Sequence, residues 1–192
     1  MSAPSWDIIL RSDDIRSIEC ENNARTLQRH LNACREERRP YVFVTPSMTL
    51  RPIRRILVPV SMLEEETYKA EISTYLARKT GAHLILLQAN DFGSHARQNT
   101  NRIVSHIQAV SQKSPEPISY EVVKAKKDSF SLIEESAERQ RDFDYDLLIL
   151  TASREYGLDD ILFGPPERKA IRRALVPVIL VNPRADLFSL CD

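Results

Sequence analysis

Short apolar runs alternate with amphipathic stretches along most of this chain. Arg55-Ile56-Leu57-Val58-Pro59-Val60 is continuously apolar, the signature of a strand buried on both faces. The spacing predicts a helix over residues 64–80, with Tyr68, Ile72, Tyr75 and Leu76 forming one stripe. Glu65, four residues before Lys69, predicts a supporting pair on its wet face, and Gly81 is placed to end it in a left-handed conformation. A strand over His83–Gln88 follows, then a turn at residues 90–94 and a helix over 95–112 carrying Ile103, Ile107 and Val110. Pro115 and Pro117 close that helix, and residues 118–124 alternate as a strand near an edge. A helix over 129–143 would bury Phe130, Ile133 and Ala137, with Ser131 and Glu134 as a capping box. A strand over 146–150, a helix over 167–174 and a strand over Val178–Val181 complete the pattern, and residues 184–192 read as a tail.

The pattern also repeats. Residues 6–46 and 145–183 each read as an aromatic-Asp-aliphatic strand (Trp6-Asp7-Ile8-Ile9-Leu10; Tyr145-Asp146-Leu147-Leu148-Ile149), a helix-compatible middle, and a Pro-led apolar strand ending in Pro. Asp7 lies 33 residues before Pro40 and Asp146 lies 31 before Pro177. Self-similarity of this kind sets the architecture before local detail does. It predicts a partial repeat over 1–47, a Pro-flanked connector over 47–52 and a complete α/β domain over 53–183. Strands alternating with crossover-length helices imply an open, doubly wound, mostly parallel five-stranded sheet, extended by the leading strand–helix–strand. Such sheets bind ligands beyond the carboxyl ends of their strands where the winding reverses. Attention therefore falls on residues 60–64, 89–93 and 151–166.

Composition narrows the functional classes. The 192 residues are 42% hydrophobic and 28% charged, as in an ordinary globular chain. Lys and Arg number 27 against 27 Asp and Glu, which argues against broad binding to nucleic acid or membrane surfaces. No apolar run approaches the ~20 residues that span a bilayer, and Met1-Ser2-Ala3-Pro4-Ser5 lacks a signal-peptide pattern. Cys20, Cys34 and Cys191 cannot all pair and show no metal-ligand spacing, so a reducing cytoplasm is the expected location. Only four glycines occur, Gly81, Gly93, Gly157 and Gly164, which is little material for a phosphate-wrapping loop.

Residues 55–60 resemble the opening strand of the universal stress protein family. The stretch 146–150, Gly164, and Arg172-Arg173-Ala174-Leu175-Val176-Pro177-Val178-Ile179-Leu180-Val181 resembles its closing strand–loop–helix–strand. The resemblance covers about 53–183 and implies an adenine nucleotide alpha hydrolase-like fold. Many members bind ATP through an Asp after the first strand and a G-x2-G-x9-G-[ST] loop. Here Ser61 takes the place of the Asp. Anchored on Gly164, the loop places Thr151, Arg154 and Pro165 at its other three positions. Thr and Arg add β-carbons where backbone must approach phosphate, and Pro removes a donor. The resemblance thus assigns Val58, Pro59, Ser61, Gln88, Thr151, Ser153, Arg154 and Gly164 to a degenerate nucleotide cleft. No cofactor is expected, with ATP or AMP as the candidates if one binds.

Other chemistry is sparse. Arg154, Arg168, Arg172 and Arg173 could gather an anion by forked hydrogen bonds, against the simpler reading of a solvated face. Asp159-Asp160 and Glu64-Glu65-Glu66 could attract a hard cation, though acidic residues at helix starts usually complement the dipole. His83, His95 and His106 lack metal-site spacing, and no nucleophile elbow surrounds Ser61, Ser94 or Ser153. Asp91 could meet a ribose hydroxyl or simply shape a turn. Cys20 and Cys34, 14 residues apart, are too distant to bridge along one helix. The expected function is a non-enzymatic stress-response binding or signalling module; the alternative is an ATP- or AMP-binding protein with weak or no ATPase activity. The family resemblance also implies pairing through final strands. The expectation is therefore a homodimer, or an intramolecular pseudo-dimer, through Tyr41–Val44 and Val178–Val181.

Overall fold

The computed structural model describes residues 6, 7, 9, 15–19, 23–37, 39–63, 66, 68–138, 144–153 and 165–182. In chain order these form β1 (Arg16–Glu19), α1 (Ala24–Glu36), β2 (Tyr41–Val44), β3 (Arg55–Val60), α2 (Lys69–Thr80), β4 (His83–Gln88), α3 (His95–Ser111), β5 (Tyr120–Lys124), α4 (Leu132–Glu138), β6 (Leu147–Thr151), α5 (Pro166–Arg173) and β7 (Val178–Val181). One seven-stranded sheet results, ordered β1-β2-β7-β6-β3-β4-β5. All neighbours are parallel except β2 and β7, which run antiparallel with Val42 opposite Ile179. Two parallel pairs, β1–β2 and β7–β6, therefore meet head to tail at that seam.

Alternation along the strands sorts side chains into two cores. Tyr41, Phe43, Leu57, Leu148, Leu150, Val178 and Leu180 face a layer containing α1, α4 and α5. Val42, Ile56, Val58, Val60, Leu147, Ile149 and Ile179 face α2 and α3. Both faces are covered, which is why β3, β6 and β7 read as unbroken apolar runs. Among the described helices none is long and apolar enough to cross a membrane.

Several expectations need correction. Trp6, Asp7 and Ile9 have helical backbone rather than strand, and the first strand is β1. The three-residue spacing puts Trp6 and Ile9 on one helical face, and both are fully buried in the α2–α3 core. The Trp6 indole N–H donates to the Arg51 carbonyl at 2.5 Å. Strand β1 escaped notice because, as an edge strand, it buries only Ile18. Lys69 is not on a wet face: it is 1% exposed and pairs with Glu66, while Glu65 lies outside the described residues. In α4 the buried apolar residues are Leu132 and Ala137, whereas Phe130 precedes the helix and is 79% exposed. No Ser131–Glu134 box forms there. The Ser131 amide donates to Asp128 Oδ1 at 3.1 Å, and Glu134 pairs with Lys169 and Arg173. Gly81 adopts the left-handed conformation (φ 69°), and its amide donates to the Ala77 carbonyl.

Candidate functional site: the carboxyl-end crevice

The winding reverses between β3 and β6, so the crevice opens where Ser61 follows β3 and where Ala152 and Ser153 follow β6, with the end of β4 alongside. Its chemistry depends on which polar groups at those strand ends remain free. Seven backbone N–H groups on the rim can be followed, and all seven are engaged within the chain. Ser61 donates to Glu66 Oε2 at 3.2 Å, Met62 to Ser129 Oγ at 2.8 Å and Leu63 to Ser61 Oγ at 3.3 Å. Ala89 donates to the Val60 carbonyl, Asn90 to that of Lys127, and Ala152 to that of Val181. Ser153 donates to Glu167 Oε1 at 3.0 Å, and its hydroxyl donates to Glu167 Oε2 at 2.8 Å.

Carbonyls take three of these, serine hydroxyls two and carboxylates two, and three buried or half-buried carboxylates tie the rim together. Glu167, with no exposed surface, stands in the first turn of α5 and folds back onto Ser153. That is where a helix start would otherwise present N–H groups to an anion. The helix itself offers little: Pro165 and Pro166 open it, and neither carries an amide hydrogen. At the end of β3, Glu66 bridges the Ser61 amide and the Lys69 ammonium, the latter at 2.5 Å. Lys69 also donates to the Pro59 carbonyl. Burial pulls the Lys69 pKa below its ordinary value while Glu66 pulls it back. Asn99, from α3, donates to the Ser61 and Leu63 carbonyls at 3.0 and 2.7 Å and so pins the turn. Beyond β4, Asp91 accepts from both the amide and the hydroxyl of Ser129, at 2.8 and 2.5 Å.

The residues singled out from sequence fall as follows. Val58 is mid-strand with its side chain in the core, and Pro59 offers only its carbonyl, already used by Lys69. Ser61 and Ser153 line the rim: Ser153 has both donors engaged, whereas Ser61 donates through its amide and accepts at its hydroxyl from the Leu63 amide. Gln88 ends β4, and its carbonyl accepts from the Ala125 amide. Thr151 ends β6, and its buried hydroxyl has no hydrogen-bond partner among the described residues. Arg154, Gly164, Gly157, Asp159-Asp160, Glu64 and Cys20 lie outside the described residues. Sequence reasoning missed Asn99, Ser129 and Glu167, and gave Glu66 and Lys69 other roles, the one in a cation-attracting cluster and the other in a surface pair with Glu65. The legible signal for Glu167 was an acidic residue directly after a Pro-Pro helix start.

The family model for the universal stress protein family matches residues 52–182. The chain belongs to the universal stress protein family. Among solved structures, it resembles a universal stress protein from Archaeoglobus fulgidus DSM 4304 with a TM-score of 0.64 at 15% identity. That match covers 95% of this chain and 66% of the other, so this chain spans about two thirds of that protein's length. A universal stress protein solved in complex with cAMP matches with a TM-score of 0.51 at 14% identity, covering 70% of this chain and all of that one. At these identities the likeness is one of fold. No curated protein matches the sequence.

Proposed function

We propose that this universal stress protein is a non-enzymatic stress-response binding or signalling module whose ancestral nucleotide crevice is occupied by its own carboxylates. The carrying observation is Glu167, which takes both donors of Ser153 at the end of β6. Among the described residues, a triphosphate entering there would meet Glu167, Glu66 and Asp91, and the buried Lys69 ammonium is already paired to Glu66. Displacing such hydrogen bonds leaves buried groups unpaired, at about 1–3 kcal/mol each. In this reading Ser61, Ser153 and Thr151 shape a closed rim rather than contact a ligand. Calorimetric titration with ATP, AMP and cAMP, with and without Mg²⁺, tests it. The expected result is no binding tighter than about 10 μM; a nucleotide seated with its phosphates against the segment after β6 would overturn it.

The same reading extends to assembly. Pairing with β2 occupies the β7 edge, the edge that the family uses for association. The N-terminal unit then stands in for a partner, and the chain is its own pseudo-dimer. Light scattering should find a monomer for the full chain and self-association once residues 1–47 are removed. A full-length dimer would reject this assignment.

A second reading, a weak nucleotide-binding protein, draws on the free Thr151 hydroxyl at the end of β6 and on the cAMP-bound fold relative. The same titration decides between them.

A further inference from the structure

A different feature lies outside the crevice, where the N-terminal unit meets the family domain. A shallow depression of about 410 Å³ is lined by Ala24, Arg25, Gln28, Arg29, Asn32 and Arg168. Arg25 and Arg29 are one helical turn apart on α1, so their side chains share a face. Arg168 reaches the same spot from α5. Its Nη1 donates to Gln28 Oε1 at 3.2 Å, and Gln28 in turn donates to Asn32 Oδ1 at 3.1 Å. This chain of amides fixes the guanidinium while leaving its other N–H groups available.

Among the described residues no acidic side chain lines the depression, and none of the three arginines has an ion-pair partner. Elsewhere on α5 the cations are matched: Lys169 lies 3.1 Å from Glu134, and Arg173 lies 2.6 Å from Glu138. The first turn of α1 also lacks an acidic residue, and its cap is the neutral Asn23. His30, next to Arg29 in the chain, has its pKa lowered first by burial and then by Arg29 and Arg16. Positive charge is therefore concentrated here while the chain as a whole is neutral. Forked guanidinium donors from two directions suit phosphate oxygens.

We propose that the α1–α5 depression binds a small molecule carrying two or more adjacent phosphates, held by Arg25, Arg29 and Arg168. Its size and the balanced charge of the whole chain favour a small ligand over a nucleic acid. Two sources share this chemistry, free diphosphate and a nucleoside-borne diphosphate. The depression lies apart from the crevice, but ATP carries the same adjacent phosphates, so the crevice titration is read on the Arg29→Gln/Arg168→Gln variant: binding that survives there belongs to the crevice, and binding lost there belongs to this site.

The test is calorimetric titration of the full chain with inorganic pyrophosphate and, separately, ADP at low salt. A saturable isotherm is expected. The double variant Arg29→Gln/Arg168→Gln should weaken it by about tenfold or more, since it removes two charge-assisted contacts. The charge-matched control Lys169→Gln/Arg173→Gln, on the same helix, should leave it unchanged. Thermal melts monitor folding of both variants. Tighter binding of ADP assigns the nucleoside-borne source, and equal affinity assigns free diphosphate. No isotherm with either probe, equal weakening in the control, or no weakening in the arginine variant would each overturn the proposal.

Discussion

The crevice and the α1–α5 junction treat charge in opposite ways. At the crevice, every carboxylate described above is met by a donor from the chain itself: Glu66 by Ser61 and Lys69, Asp91 by Ser129, Glu167 by Ser153. At the junction, Arg25 and Arg29 are exposed with no ion-pair partner among the described residues. Yet the backbones are alike, since α1 and α5 each link two parallel neighbouring strands and pack on the same face of the sheet. What a helix start can bind is therefore decided by one or two side chains in its first turns, not by the scaffold. A Pro-Pro-Glu start closes α5 upon itself; an Asn cap followed by arginines leaves α1 open.

That contrast can be broken hardest at the crevice. Replacing Glu66 by Ala strands Lys69, a buried ammonium, with only the Pro59 carbonyl as acceptor. Loss of one partner from a buried pair typically costs about 3–5 kcal/mol, and urea unfolding should show a drop of that order. The companion Glu66→Ala/Lys69→Met should recover much of it, because an apolar replacement removes the uncompensated charge. A double variant as unstable as the single one would mean that Glu66 acts mainly through the Ser61 amide.

Next comes the link between the two halves. Asn182, fully buried after β7, donates through Nδ2 to the Cys34, Arg35 and Glu37 carbonyls at the end of α1. The matching residue after β2, Thr45, stays local and bonds Ser47. Asn182→Ala should therefore cost about 1–3 kcal/mol, the penalty for stripping donors from buried carbonyls. Hydrogen exchange should show faster opening across the β2–β7 seam than within β3–β4. Equal acceleration throughout the sheet would show that the two halves open as one unit.

Cys34 offers a smaller, pH-dependent probe of the same seam. Burial, followed by Glu167 and Glu37, pushes its thiol up to about 12 from a usual 9.0. Its folded pKa lies above the unfolded one, so its contribution is complete below pH 9 and is lost as pH climbs from 9 towards 12. Wild type should therefore lose about 1 kcal/mol relative to Cys34→Ala by pH 10. Denaturant midpoints at pH 8 and 10 check this. Alkylation at Cys34, followed by peptide mass, should require opening of the fold.

Much of the fold was legible because burial on both faces writes continuous apolar runs. The bounds of β4 and β7 follow directly from His83–Gln88 and Val178–Val181. The misses share a cause: sequence shows polarity, not where polar atoms are satisfied. Lys69 looked like a surface residue because lysines usually are, yet its ammonium reaches a carbonyl at a strand end. Arg16-Ser17-Ile18-Glu19 carries too little apolar signal to announce an edge strand, and Trp6-Asp7 imitated Tyr145-Asp146 while folding as helix. At the crevice, the weakened loop motif was readable. The carboxylates that fill the space were not, because nothing in one dimension places Glu167 over Ser153.

The smallest effect sharpens the comparison most. Arg25 and Arg29 are exposed, form no ion pair among the described residues and lie on the solvent side of α1, whose buried face is Leu27, Leu31 and Cys34. Replacing both by Ala removes two charges without opening a cavity or orphaning a buried group. Alanine is also at least as good a helix former as arginine. Stability should stay within about 0.5 kcal/mol of wild type, as for surface changes away from such features. A like-charge pair one turn apart is mildly unfavourable, so a slight gain at low salt that fades at high salt is the expected sign. A loss above 1 kcal/mol would mean that these arginines are structural after all, and that the junction, like the crevice, spends its charges on holding the chain together.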